Sequence, residues 1–237
     1  VVRIVVLTGA GISAESGLAT FRDSDGLWEG HRVDDVATPE GFAADPVLVQ
    51  TFYDLRRVAS AAAQPNAAHR ALAELEAAPG VELLVVTQNV DDLHERAGTR
   101  NLIHMHGELM RARCTTCGER PSWTGPLVDR PPCPHCGEPT LRPDIVWFGE
   151  MPYAMDDIAA AVERCDIFAA IGTSGVVYPA AGLAMQAAAV GARTVEINPR
   201  PTRVGFDQVM AGTATEAVPV WVEQVRSVLI PATPSQG

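Results

Sequence analysis

Apolar residues gather in short unbroken runs along this chain, and the stretches between them carry helical spacing. The runs VVRIVVL (1–7), VELLVV (81–86), LIHMH (102–106), DIFAAI (166–171) and TVEI (194–197) read as β-strands. Runs this continuous suit strands covered on both faces. Helices are expected between them. Asn66 can cap AAHRALAELEAA (67–78), which stops at Pro79-Gly80. DDIAAAVER (156–164) opens on two acids, favourable at the positive end of a helix. PAAGLAMQAAAV (179–190) opens on Pro179 and stops at Gly191, and TEAVPVWVEQVRSVL (215–229) reads as the last helix, with Pro219 near its start. This alternation predicts an α/β fold, a parallel sheet with helices on both faces. Two stretches break it: 31–62, with a helix from Pro46 onward, and 109–140. Both read as insertions that build a small second domain, with 1–30, 63–108 and 141–237 forming the larger one. No internal repeat or low-complexity tract stands out, and the tail PATPSQG should fray.

The second insertion carries Cys114-x-x-Cys117 and, 15 residues later, Cys133-x-x-Cys136. That spacing is typical of a four-thiolate zinc site, in which each pair closes a turn that offers two sulfurs to one tetrahedral ion. Gly118, Pro132, Pro134 and Gly137 suit such turns. Two disulfides would use the same residues; the spacing favours the metal. Four thiolates leave no open coordination position, so one structural zinc per chain is expected, not a catalytic one.

With 237 residues, 47% of them hydrophobic, the chain can bury one full-sized core and a small accessory module. A net charge of -11 and a pI near 4.9 give no overall field that would draw in nucleic acid or an anionic membrane. No apolar run approaches the ~20 residues of a membrane span. Val1–Leu7 is interrupted by Arg3 and reads as a buried strand, not a signal segment. Four cysteines committed to a metal point to a reducing, cytoplasmic compartment, and the fifth, Cys165, reads as a buried structural thiol. A monomer is expected.

The first strand runs directly into Thr8-Gly9-Ala10-Gly11-Ile12-Ser13-Ala14. Gly9-x-Gly11-x-x-Ala14 matches the loose dinucleotide fingerprint, in which glycines let backbone approach a pyrophosphate whose charge meets a helix N-terminus. The acid expected ~20 residues later for the ribose is not convincingly placed, so an ordinary hydride-transferring Rossmann domain is disfavoured.

Further motifs follow in order: GAGISAESGLATFR (9–22), TQNVDDLHERAG (87–98), HMHGEL (104–109), the cysteine quartet, RPDIVWFGE (142–150), GTS (172–174) and INP (197–199). Together they resemble the sirtuins, the NAD-dependent protein-lysine deacylases, over nearly the whole chain. The resemblance implies a Rossmann-like domain with a zinc-ribbon module, acyl-lysine proteins or peptides as substrates, and NAD consumed, not reduced. It implies that His106 is the base that takes a proton from a ribose hydroxyl, a task that suits imidazole. His94 and His104 are its competitors, read as a helix and a strand residue. The cofactor would be held by Gly9, Ala10, Gly11, Ser13 and Glu15, by Phe21 and Arg22 of a covering loop, and by Gln88, Asn89 and Asp91 around nicotinamide and ribose. Gly172, Thr173, Ser174 and Asn198 match the adenosine end, with Pro199 and Ala214 beside them. Val146, Phe148 and Gly149 resemble the segment on which a substrate peptide adds as a strand. Trp147, between them, could equally be buried against the zinc module.

The chain departs from usual deacetylase wording at Ala19-Thr20-Phe21-Arg22, where Pro-Asp commonly precedes Phe-Arg. Tyr53 and Arg56, three apart on the expected helix, share one face. They resemble the acid-recognition pair of the bacterial desuccinylase and demalonylase branch, with Ala37 as the small residue that admits a longer acyl chain. A guanidinium can grip an acyl carboxylate in two places and a phenol can add a third bond. Deacetylation is compatible with this pair. Rival readings are a nucleic-acid-binding zinc ribbon, which the acidic pI opposes, and an ADP-ribosyltransferase on the same scaffold.

Overall fold

The computed structural model describes residues 1–18, 27–28, 30–173, 180–202 and 205–229. Its strands are β1 (Val2–Thr8), β2 (Leu27–Trp28), β3 (His31–Arg32), β4 (Val81–Thr87), β5 (Leu102–His104), β6 (Gly107–Cys114), β7 (Leu141–Ile145), β8 (Ile167–Ile171), β9 (Arg193–Ile197) and β10 (Gln208–Met210). Its helices are α1 (Val33–Val36), α2 (Pro39–Ala44), α3 (Pro46–Ala62), α4 (Ala67–Glu76), α5 (Leu93–Ala97), α6 (Met155–Val162), α7 (Ala180–Ala189) and α8 (Ala214–Leu229). All five expected strands form, and the expected helices lie within about two residues of their sequence bounds. Among the described residues no helix is long and apolar enough to cross a membrane.

Six strands form one sheet in the order β10-β9-β8-β1-β4-β5, every neighbour parallel. Counted along the chain within this sheet, the order is 3-2-1-4-5-6. This is the doubly wound arrangement, whose ligands bind where the order reverses, here between β1 and β8. The unbroken apolar runs have the expected cause. Ile4 and Val6 face one way, onto Leu72 and Leu75 of α4 and Val218 and Trp221 of α8. Val5 and Leu7 face the other, with Ile158 and Val162 of α6 and Leu183 and Ala187 of α7. Cys165 is buried in that second layer, as expected.

Several local features differ from the sequence reading. The strand read over 102–106 ends at His104, because Gly107 turns the chain with φ +85°. A Cβ there would collide with the Asp144 carbonyl. The glycine loop leads not into an α-helix but into two 3-10 turns, Ala10–Ile12 and Ala14–Ser16; the glycines around them are poor helix formers. β10 and the β2–β3 hairpin lack the apolar runs that made other strands legible.

The insertion at 31–62 folds as α1, α2 and α3 around Val36, Ala37, Val49, Phe52 and Tyr53, joined by Leu109, Ile145 and Trp147. Trp147 therefore packs on the helical part of the small domain, 5.2 Å from the Phe42 ring, and not on the metal module. The module hangs from the antiparallel pair β6–β7. Its two turns repeat one pattern, C-x-x-C-G-E, which is a short internal repeat after all. In each, the glycine N–H bonds to the first cysteine's carbonyl, Gly118 to Cys114 at 3.0 Å and Gly137 to Cys133 at 2.8 Å. Both glycines have φ near +80° (78° and 79°), a region that other residues avoid. The four sulfurs lie within 4.8 Å of one another. Cys114 and Cys136 are 3.7 Å apart, Cys117 and Cys133 3.8 Å. A tetrahedral zinc with ~2.3 Å bonds sets its sulfurs about 3.8 Å apart, whereas a disulfide needs ~2.0 Å. The residues fit zinc.

Two predictions follow from this packing. Besides the cysteines, the module's own buried cluster is only Ala112, Leu127 and Leu141. Metal binding must supply its folding energy. Elemental analysis should give one zinc per chain, and a strong chelator should abolish the module's protection from proteolysis; an intact, protease-resistant metal-free chain would contradict this.

The second concerns acid. His69 closes the predicted cap of α4, its Nδ1 accepting from the Asn66 N–H at 3.3 Å. Burial, then nearby Arg70, pushes its pKa down to about 4. The folded state thus prefers neutral His69. Above pH 6.5 both states are neutral; below it the unfolded chain takes up the proton first, so stability falls between about 6.5 and 4. The loss should reach roughly 3 kcal/mol at full shift. Urea titrations of wild type and His69→Gln at pH 7 and 5 should show a smaller pH dependence in the variant; equal dependence would refute it.

Candidate active site

The site lies at the reversal point. Gly9 N–H bonds to the Ile171 carbonyl at 3.0 Å and Gly11 N–H to the Gly172 carbonyl at 2.9 Å, lacing the β1 loop to the β8 loop. A Cβ on Gly11 would sit 2.6 Å from the Gly172 Cα, so the approach demands glycine. Thr173 is held from both sides. Gln88 Nε2 donates to its hydroxyl at 3.2 Å, and Asn198 Nδ2 donates to its carbonyl at 2.7 Å. Gly9, Ala10, Gly11, Gln88, Gly172, Thr173 and Asn198, drawn from four strand ends, thus come together around one crevice. Pro199 follows Asn198 and is exposed.

Deeper in, Asn89, Ser13 and Asp91 form one buried network. Asn89 Nδ2 donates to Ser13 Oγ at 3.1 Å and to the Gly9 carbonyl at 3.2 Å, and Ser13 Oγ donates to Asp91 Oδ2 at 3.0 Å. Burial raises the Asp91 pKa, which the Leu93 N–H and the Ser13 hydroxyl partly offset. An amide, a hydroxyl and one carboxylate on a single loop system can bind sugar hydroxyls and a carboxamide without a strong fixed charge.

His106 follows on the turn after β5. Its Nδ1 is 3.2 Å from the Gln88 carbonyl. A carbonyl only accepts, so Nδ1 carries the proton and Nε2 keeps its lone pair. Burial lowers the His106 pKa, against the pull of that carbonyl, so the ring is neutral near pH 7 and fit to accept a proton. His104 has the opposite fate. Burial pushes its pKa down, but the Glu95 carboxylate at 2.7 Å from Nε2 more than offsets this and raises it. With Glu108 these two residues form the other group of potential ligands, but the close His104–Glu95 bond already occupies them.

Glu15 reaches the start of α8, next to Ala214. Glu15 Oε2 accepts from the Thr215 N–H at 3.2 Å and from its hydroxyl, joining the glycine loop to the start of α8. Those Thr215 bonds hold its carboxyl below the ordinary range. Ala214 is buried in the core layer under the sheet, so only its backbone can face a ligand. Phe21, Arg22 and Ser174 lie outside the described residues.

The segment after β7 borders His106 directly. Val146 N–H donates to the His106 carbonyl at 2.9 Å and Phe148 N–H to the Ala37 carbonyl at 3.0 Å. Trp147 N–H donates to Glu150 Oε2 at 2.9 Å. These three amides are spent within the chain. Phe148 and Gly149 are exposed. Arg142 fixes the segment, donating to both Glu150 oxygens and lying 3.7 Å from the Trp147 ring centre. Behind it Tyr53, fully buried, accepts from Trp147 Nε1 at 3.0 Å. Burial pushes the Tyr53 phenol up, so it stays protonated and keeps one O–H to donate. Arg56 lies on the same face of α3, 4.1 Å from the Trp28 ring.

Sequence reasoning missed the buried pair Asp54–Arg57, 2.6 Å apart. Asp54 accepts from the Leu127 and Val128 N–H groups, and Arg57 donates to the Leu109 and Gly125 carbonyls. This pair ties α3 to the metal module. The i,i+3 spacing of opposite charges was its only signal, overshadowed by neighbouring Arg56.

Comparison with known proteins agrees with this geometry. The profile of the Sir2 family matches residues 9–179. An NAD-dependent protein deacylase of Salmonella typhimurium (strain LT2) is 57% identical over 227 residues, covering 94% of this chain and 83% of that protein. One of Pasteurella multocida is 58% identical over 229 residues, covering 94% and 97%. A solved Sir2 homologue–NAD complex superposes with a TM-score of 0.88 at 44% identity, over 96% of this chain and 91% of that one. With a family match over most of its length and relatives this similar, the chain belongs to the Sir2 family.

Proposed function

We propose that this protein removes acyl groups from protein lysines at the expense of NAD, and that its acyl pocket accepts succinyl and malonyl as well as acetyl. Family membership and the NAD-dependent relatives support the activity. One observation carries the acyl preference: the buried Tyr53 phenol and the Arg56 guanidinium share a face of α3 beside Ala37 and Trp147, in a cluster bonded through Val146 to the backbone of His106. A neutral phenol and a cation converge where an acyl carboxylate would end.

When bound, NAD supplies the ribose carbon that the acyl oxygen attacks as nicotinamide leaves. The chain's residues do the rest. Asn89, Ser13 and Asp91 orient ribose and carboxamide, and the laced glycine loops receive the pyrophosphate; the family resemblance assigns Phe21 and Arg22 to the same cofactor. Nε2 of His106 takes the proton of a ribose hydroxyl, which then attacks the acyl carbon. One water is consumed as the lysine leaves as a free amine, and the other products are nicotinamide and O-acyl-ADP-ribose. The same reading assigns the Rossmann-like part to 1–30, 63–108 and 141–237, and the small domain to 31–62 and 109–140. It has the protein act as a monomer in a reducing, cytoplasmic compartment, which four metal-bound thiolates suit.

His106→Ala should lower kcat by ~100- to 10,000-fold and leave NAD affinity largely intact, the usual cost of losing a general base. Calorimetric NAD binding beside single-turnover rates will show this; near-normal turnover at saturating substrate would rule His106 out.

Arg56→Met should lower kcat/KM for a succinyl-lysine peptide by roughly 10- to 150-fold, the worth of a charge-assisted bond to a desolvated carboxylate. The acetyl-lysine version of the same peptide should change little, and Tyr53→Phe should give a smaller loss of the same kind. An unchanged succinyl-to-acetyl ratio in Arg56→Met would return the pocket to plain deacetylation.

A further inference from the structure

We propose that His94, buried behind the crevice, is a positioning residue: its Nε2–H holds the Thr8 hydroxyl, and through it the Thr87 hydroxyl, so that the two loops leaving the central strands keep the spacing that NAD requires. Thr8 and Thr87 are the last residues of β1 and β4 and pair in register. The next residues are Gly9 on one side and Gln88 and Asn89 on the other. Thr8 Oγ1 donates to Thr87 Oγ1 at 2.9 Å, and His94 Nε2 is 3.1 Å from Thr8 Oγ1. The single Thr8 proton is already spent on Thr87, so the ring nitrogen must be the donor. Thr87 Oγ1 in turn accepts the Asn89 N–H at 3.0 Å. The chain of bonds therefore runs from the imidazole, across both strand ends, to the main chain of a residue that lines the site.

Three further observations agree. His94 Nδ1 finds no partner among the described residues, as a bare lone pair on a ring whose Nε2 carries the proton. The ring cannot swing, because His69 packs edge-on against it, ring centres 4.9 Å apart, and His69 is itself fixed by the Asn66 amide. Burial, then His69 and His104, holds the His94 pKa well below its ordinary value, so the donor is a neutral ring. The same geometry removes His94 as a rival base: it is 1% exposed and its Nε2 proton is committed.

The inference rests on the reading of Gly9 and Asn89 as dinucleotide-binding residues. It is tested on the zinc-loaded protein with His94→Leu, which removes the donor, and His94→Gln, which retains a side-chain N–H. His94→Leu should raise the KM for NAD ~5- to 10-fold, the worth of one buried hydrogen bond, with kcat within about twofold. His94→Gln should recover most of the loss. An unchanged KM in folded His94→Leu, or equal impairment of the two variants, would overturn the proposal, the latter reducing His94 to core packing. Should the leucine variant not fold, nitrogen-15 NMR of the wild-type imidazole decides: Nε2 protonated and Nδ1 bare is required, and the reverse tautomer overturns it. Asn89→Ala separates the two layers. A raised KM there with none in His94→Leu faults the inference alone, whereas no effect in Asn89→Ala removes the reading beneath it.

Discussion

Where β1 and β8 part, main chain packs directly on main chain, and the site depends on that contact. The two loops lie so close that a Cβ on Gly9, Gly11 or Gly172 would strike backbone. The loops are laced to each other by their own amides. Thr173 is then fixed between Gln88 and Asn198, and the Ser13–Asn89–Asp91 network is fixed beneath. A dinucleotide needs no such contact to be recognised, but it needs the contact to be recognised in one geometry. Preorganisation of this kind is what lets uncharged groups hold a sugar at a set distance from a base.

The local environment sorts three nearby histidines into three states. His106 is neutral with its lone pair outward, since burial lowers its pKa and one carbonyl fixes its tautomer. His104 favours the charged form because Glu95 stands at hydrogen-bond distance. His94 is buried, neutral and a donor. Consecutive carbonyls of the loop after β4 are held by the first two: Gln88 by His106 and Asn89 by His104. Chemical identity thus decides little here; the neighbours decide which ring can act as a base.

Much of this was legible in the sequence. Unbroken apolar runs announced a doubly covered sheet, the cysteine spacing announced the metal module, and the cap at Asn66 announced α4. The motif order put Gly9, Gln88, Gly172 and Asn198 at neighbouring strand ends, although they are far apart in sequence. What escaped has physical reasons. β10 and the β2–β3 hairpin are two or three residues long and rely on neighbours for their hydrogen bonds. The 3-10 turns after β1 come from a close approach to β8 that is distant in sequence. Glu15 sits in the glycine motif, and its bond to Thr215, 200 residues away, leaves no trace in that motif. Asp54 and Arg57 looked like helix surface until the metal module covered them. Long-range partners of this kind leave no periodicity to read.

The small domain completes the account. Asp54–Arg57 fastens α3 to the metal module, and Arg142–Glu150 fastens the segment beside His106, so elements from both insertions are held in one frame around the proposed acyl pocket. The central claim is that this frame delivers an acyl-lysine to an NAD-consuming base. Mass spectrometry of one peptide carrying acetyl-, succinyl- or malonyl-lysine, incubated with the protein with and without NAD, tests it most directly. The account predicts unmodified lysine together with O-acyl-ADP-ribose, only when NAD is present, and with the acidic acyl groups removed as well as acetyl. ADP-ribose attached to the peptide, or acyl loss without NAD, would contradict it.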